Sequence, residues 1–143
     1  VATSRPVRYQ CSSDTNLSLA TLARRPFHGK YLERHFQHTQ TFIPLGGKPF
    51  VVLLAPPSKD EMPDLNAVRA LRFEGDTGLC LHIGTWHEFP FALEDDTDLI
   101  VVLSSQVTED LHHRAENAIE AFGPDLDKKD MTLRAAVVFV LDF

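Results

Sequence analysis

The chain reads as an all-β domain with one or two short helices, and three observations predict this. Its apolar runs are only five or six residues long, Val appears in each of them, and Gly- and Pro-containing turns separate them. β-branched residues fit a pleated, buried surface, and runs of this length are too short for buried helices. Many short strands between turn signals point to a sandwich or a barrel. With 143 residues the chain suits a single domain over residues 1–143.

In chain order, residues 1–16 are polar and read as an extended, partly disordered arm unless a partner or a sheet edge holds them. Glu33-Arg34-His35-Phe36-Gln37-His38-Thr39-Gln40 follows as a polar strand. If it is straight, Arg34, His38 and Gln40 share one face and Glu33 and His35 the other. Thr39 to Leu45 alternates, and Gly46-Gly47 predicts a hairpin into the strand Phe50 to Ala55 (FVVLLA). Residues 56–64 (PPSKDEMPD) form a polar loop, and Asp64 can cap a short helix carrying Leu65, Val68, Ala70 and Leu71. Asp76-Thr77-Gly78 opens a strand from Leu79 to Ile83 that Gly84 closes, and Leu99 to Leu103 is another strand. Leu111, Ala115, Ala118, Ile119 and Phe122 fall at helical spacing, with Thr108 as cap and Gly123-Pro124 as stop. Ala136 to Leu141 closes the chain as a strand, so residues 108–143 read as a helix plus a strand, with Asp125 to Met131 between them as a lid or loop.

Composition excludes several classes. The net charge is −6 and the sequence pI about 5.6, which argues against a nucleic-acid surface. No apolar run approaches the length of a membrane span. Two cysteines, Cys11 and Cys80, give neither a disulfide framework nor a metal pattern, so a reducing, cytoplasmic setting is expected. His112-His113 lack the i,i+4 spacing of a metal-binding helix. No HExxH, GxSxG, CxxC, P-loop or GxGxxG motif is present.

Chemistry concentrates in two places. Leu81 to Pro90 holds His82, the single tryptophan Trp86, His87 and Glu88 beside Gly84. The Glu33–Gln40 segment holds the other polar cluster, about fifty residues earlier. Brought together by strand pairing, His, Glu and Gln from both would make an N/O set suited to zinc, iron, nickel or manganese. Without metal the same set could serve acid–base chemistry on a small polar substrate. The competing explanation of each cluster is a packed or solvated strand.

Three stretches carry a resemblance. These are Leu32-Glu33-Arg34-His35 with Gln40-Thr41-Phe42-Ile43-Pro44-Leu45-Gly46-Gly47-Lys48-Pro49-Phe50, Ala55-Pro56 with Pro63-Asp64-Leu65 and Arg69-Ala70, and Gly78 to His87 with Leu93 and Asp98 to Val102. In order and spacing they resemble the ureidoglycolate lyase family, also called ureidoglycolate hydrolases. The resemblance implies a cupin-like double-stranded β-helix (a jelly-roll β-barrel), a homodimer, and cleavage of ureidoglycolate to glyoxylate and urea in purine (allantoin) degradation. It makes His82 or Glu88 the expected base and His87 the acid. Arg34, Gln40 or Lys48 would hold the carboxylate, with His38 and Trp86 also at the substrate. A divalent metal, with Glu33, His35, His82 and His87 as candidate ligands, is the alternative. The chain departs from the family's Tyr-His-Arg at Leu81-His82-Ile83, from its His-His-Pro at His87-Glu88-Phe89, and from its Asp-Arg after the last matched strand at Leu103-Ser104. Lost guanidiniums in an anion pocket favour two alternatives, a related enzyme acting on a different small polar molecule or a non-catalytic binding protein.

Overall fold

A computed structural model describes residues 6–142. In chain order the strands are β1 (Thr15–Leu22), β2 (His28–Gly29), β3 (Tyr31–Arg34), β4 (Gln40–Leu45), β5 (Phe50–Ala55), β6 (Arg69–Phe73), β7 (Leu79–Leu81), β8 (Trp86–His87), β9 (Phe91–Ala92), β10 (Thr97–Ser104), β11 (Ala121–Gly123), β12 (Leu126–Asp130) and β13 (Phe139–Val140). The helices are α1 (Ser105–His112) and α2 (Met131–Ala135), with a 3₁₀ turn at Leu65–Ala67. No helix among the described residues is long and apolar enough to cross a membrane.

The strands form a four-stranded sheet in the order β1-β10-β4-β7 and a larger one in the order β11-β12-β3-β8-β5-β6, to which β9 adds by pairing with β5. A small ribbon joins β13 to β2. Among the described residues no sheet closes on itself, which corrects the expected jelly-roll β-barrel. Closure needs an unbroken ladder around every corner. Here Gly46-Gly47, both at positive φ, turn the chain out of one sheet and into the other. β4 and β5 therefore do not pair, and the expected hairpin is a crossing between layers. Gly47 also lies where the backbone bends most freely.

The two sheets pack face to face through Leu22, Phe42, Leu81, Leu99 and Val101 from one and Phe50, Val52 and Ala92 from the other. The opposite face of the larger sheet buries Leu32, Val51, Leu53, Ala55, Trp86 and Phe91 beneath Met131 and Leu141. This explains the unbroken apolar run of β5: its two sets of alternate side chains face two different cores. A third, smaller core of Val107, Ala121 and Leu126 seats α1.

Both ends of the chain differ from expectation. From Thr15 the expected arm is already β1, paired antiparallel with β10 from Thr15↔Ser104 to Leu22↔Thr97. Cys11 bridges to His38 ahead of it. Residues 1–5 of that arm lie outside the described residues. The C-terminal helix begins earlier and stops sooner than its periodicity predicts. Ser104, not Thr108, caps it, its hydroxyl accepting from Gln106 N at 3.1 Å. Phe122 is exposed on β11, and Pro124-Asp125 turn β11 into β12 as a hairpin. The segment read as a lid or loop is thus mostly a strand. The last expected strand shrinks to Phe139–Val140, because Ala136 caps α2 in a left-handed conformation at φ 55°. Asp64 does cap the short turn at Leu65–Ala67, but Ala70 and Leu71 belong to β6.

Candidate functional site

Alternation along β3 and β8 sorts the polar residues onto two faces. Leu32 and Trp86 enter the outer core, while Glu33 and His87, opposite one another in register, turn toward the layer between the sheets. The straight-strand expectation fails just after Arg34. The backbone bends at Phe36-Gln37, and Asp125 holds the bend, its Oδ1 accepting from Phe36 N at 2.8 Å and Gln37 N at 2.6 Å. The bend carries His35 and Gln40 together and separates them from Arg34. Gly84, at φ 83°, turns the other segment back, and its N–H donates to His35 O at 2.8 Å.

The result is a buried group of Glu33, His35 and His87, with candidate ligand atoms all within 4.8 Å of one another. His87 Nε2 is 3.6 Å from Glu33 Oε1, and the His35 and His87 rings are 5.2 Å apart. His87 Nδ1 lies 3.2 Å from the carbonyl of Thr85. A carbonyl only accepts, so Nδ1 carries the proton and Nε2 presents its lone pair. Nε2 is buried with no hydrogen-bond partner. Burial lowers the His87 pKa from the ordinary 6.5 to about 4; Glu33 opposes this, while His35 and Lys128 add to it. The ring is therefore a neutral acceptor at neutral pH. His35 Nδ1 likewise faces a carbonyl, that of Asp125 at 2.9 Å, and its Nε2 faces Gln40 Oε1 at 3.1 Å. Turning the Gln40 amide end for end makes that second contact a conventional hydrogen bond.

Two lone-pair groups facing each other in a buried space want a proton or a cation between them. The donor set of two imidazoles and one carboxylate fits a divalent metal of the zinc type that leaves coordination positions open. The orphaned Nε2 of His87 is the observation that supports the fit.

Of the expected site residues, Glu33, His35, Gln40 and His87 come together. His82 does not join them; it is exposed on the turn after β7. Glu88 is buried elsewhere, its carboxylate paired to Arg25 at 2.8 Å and accepting from Lys30 N at 3.0 Å. Burial raises its pKa against the pull of Arg25. Arg34 gives two hydrogen bonds to Asp127 Oδ2 and one to Ser58 O, and lies over the Trp86 ring. Trp86 itself is core, with its N–H on Ser58 Oγ at 2.9 Å. His38 is buried among Tyr9, Thr15 and the Thr39 carbonyl. Lys48 spends its ammonium on the carbonyls of Asp95 and Asp96.

Sequence reasoning missed Tyr31, Asp125 and Lys128. Lys128 stands opposite Glu33 in register, its Nζ 3.6 Å from Glu33 Oε2 and 3.8 Å from the centre of the Tyr31 ring. Tyr31 is half-buried, desolvation of its phenol pushes the pKa upward, and its oxygen accepts from Phe89 N at 3.2 Å.

An open two-sheet all-β protein with a buried histidine–carboxylate centre between its layers is the class these features define. The chain belongs to the ureidoglycolate lyase family, whose model matches residues 3–121. It is 37% identical over 87 residues to the ureidoglycolate lyase of Salmonella typhimurium (strain LT2), covering 61% of this chain and 53% of that protein. The same figures hold for the ureidoglycolate lyase of Escherichia coli O1:K1 / APEC. The chain thus spans about half the length of these relatives.

Proposed function

We propose that this protein is a carbon–nitrogen lyase that cleaves ureidoglycolate to glyoxylate and urea in allantoin catabolism. The observation that carries the reading is the neutral, unpartnered Nε2 of His87 facing Glu33 in a buried polar centre. Family membership and the name of the Salmonella relative supply the substrate.

The chemistry needs one proton moved between two atoms on the same carbon. His87 Nε2 takes the hydroxyl proton of the substrate. The oxygen's electron pair forms the carbonyl, the C–N bond breaks, and the departing urea nitrogen receives the proton back from the imidazolium. Glu33 at 3.6 Å stabilises that transient cation. Gln40 and His35 are placed to orient the substrate's polar groups. A divalent metal held by Glu33, His35 and His87 would supply Lewis-acid polarisation of a substrate oxygen.

A different small polar substrate is the second reading. It is favoured by Arg34 and Arg25, both already paired with carboxylates of the protein. The finer expectations of a homodimer and a cytoplasmic setting belong to this proposal too. Exposed Leu17, Leu19, Ile43 and Leu45 offer a second copy an apolar surface, and both cysteines are free. Sedimentation at micromolar concentration tests the dimer.

The deciding experiment incubates folded protein with ureidoglycolate and assays glyoxylate, with added divalent metal and with EDTA. Glyoxylate release supports the reading. No release under either condition sinks it.

A further inference from the structure

Residues outside the family-matched range contribute to the buried centre. The family match ends at residue 121, yet β12 pairs with β3 throughout, placing Lys128 beside Glu33 and the Asp125 carbonyl against His35. We propose that Lys128 is the residue that binds the carboxylate of the substrate. The inference rests on the site reading above for its location, but its test does not depend on turnover.

Four observations support it. First, the cations expected in this role are engaged elsewhere, Arg34 with Asp127 and Lys48 with two backbone carbonyls, and Arg25 is likewise paired with Glu88. Second, among the described residues Lys128 is the cation in ion-pair contact with the Glu33–His35–His87 group. Third, its contacts are loose. Glu33 Oε2 at 3.6 Å is beyond hydrogen-bonding reach, and the Tyr31 ring attracts the charge without accepting a directed bond. An ammonium carries three donors, so room remains for an incoming carboxylate. Fourth, Lys128 also lines a surface cleft of about 450 Å³ with Arg114, Glu120 and Phe122, so it belongs to both the centre and the exterior. A carboxylate held on the Lys128 ammonium would lie beside Glu33, its neighbour across the ladder.

A purely structural role, as counter-ion to buried Glu33, predicts different results. The test compares wild type, Lys128→Met and Lys128→Arg. Met keeps most of the length and apolar bulk near the Tyr31 ring but removes the charge. Glyoxylate is the probe, its binding followed by titration calorimetry. Thermal unfolding confirms that each variant is folded. The expected result is binding weakened about 10- to 100-fold in Lys128→Met and restored to within a few-fold by Lys128→Arg, the loss expected when a charge-assisted hydrogen bond is removed. Equal binding by wild type and a folded Lys128→Met protein overturns the assignment, as does absence of binding by wild type. If Lys128→Met does not fold, Lys128→Arg and Lys128→Gln replace it in the comparison, and equal binding by those two overturns the assignment. Turnover of ureidoglycolate is read separately. Its absence beside intact, Lys128-dependent glyoxylate binding counts against the lyase reading alone.

Discussion

His87 Nε2 and Glu33 Oε1 stand 3.6 Å apart on neighbouring strands, and the imidazole nitrogen has no hydrogen-bond partner. The fold has brought a base and a carboxylate together and left the base unsatisfied, at the cost that any buried polar atom without a partner imposes.

Replacing that base should remove the chemistry. His87→Gln is expected to lower kcat for ureidoglycolate by about 10²- to 10⁴-fold, the usual contribution of a positioned proton-transfer group, with KM changed only a few-fold. Steady-state glyoxylate release measures this, with circular dichroism to verify the fold. Unchanged kcat would remove His87 from the mechanism.

Stability should fall with acid in a way traceable to the same ring. His87 titrates near 4 when folded and near 6.5 when unfolded, so between these values the unfolded chain binds the extra proton. Its stabilising contribution is full above pH 6.5 and is lost as pH falls toward 4. The total loss is about 3 kcal/mol. Urea unfolding of metal-free wild type and His87→Gln, at several pH values between 7.5 and 4, isolates this contribution as the difference between the two proteins. A difference that does not vary with pH contradicts it.

Metal should stabilise the folded chain through Glu33, His35 and His87. Zinc at a hundredfold excess over its dissociation constant would add about 2.7 kcal/mol, seen as a rise in Tm that EDTA reverses. His35→Gln and Glu33→Gln should each reduce the rise. A zinc-induced shift of equal size in both variants would place the ion elsewhere.

Asp125 should act on the centre from outside it. Its carboxylate holds the bend at Phe36-Gln37 and its carbonyl faces His35. Asp125→Ala leaves two backbone N–H groups without their acceptor and should cost about 1–3 kcal/mol. Asp125→Asn keeps one carbonyl oxygen and should cost less. If His35 is positioned this way, kcat falls more in Asp125→Ala than in Asp125→Asn at a temperature where both are folded. Wild-type kcat in folded Asp125→Ala would rule out the positioning role.

Much of this architecture is legible in the residues. FVVLLA and LIVVL are β5 and the heart of β10, because Val-rich runs of that length fit only a buried pleat. Glu33, His35, Gln40 and His87 are visible as candidates because His, Glu and Gln side chains concentrate in two short stretches of the chain. β1 was not visible as a strand, since Leu17 and Leu19 point away from the core and remain exposed. The helical spacing from Leu111 to Phe122 misled because Ala121–Gly123 gains ladder bonds to β12 that outweigh its local periodicity. His82 and Glu88 lie within a few residues of His87 yet point elsewhere, because a turn and an alternating backbone direct adjacent side chains to different places.

The sequence by itself determined the mostly β character of the chain and its family, and it offered Glu33, His35, Gln40 and His87 only among a larger set of candidates, since hydrophobic period and local motif are properties of short segments. The tertiary structure alone decided that the sheets stay open, that Arg34 turns outward to Asp127, and that Lys128 and Asp125 reach the centre. Those outcomes depend on which strand lies beside which. That is settled by long-range pairing and burial, as when β12 comes to lie against β3 more than ninety positions away, from Arg34 to Asp127.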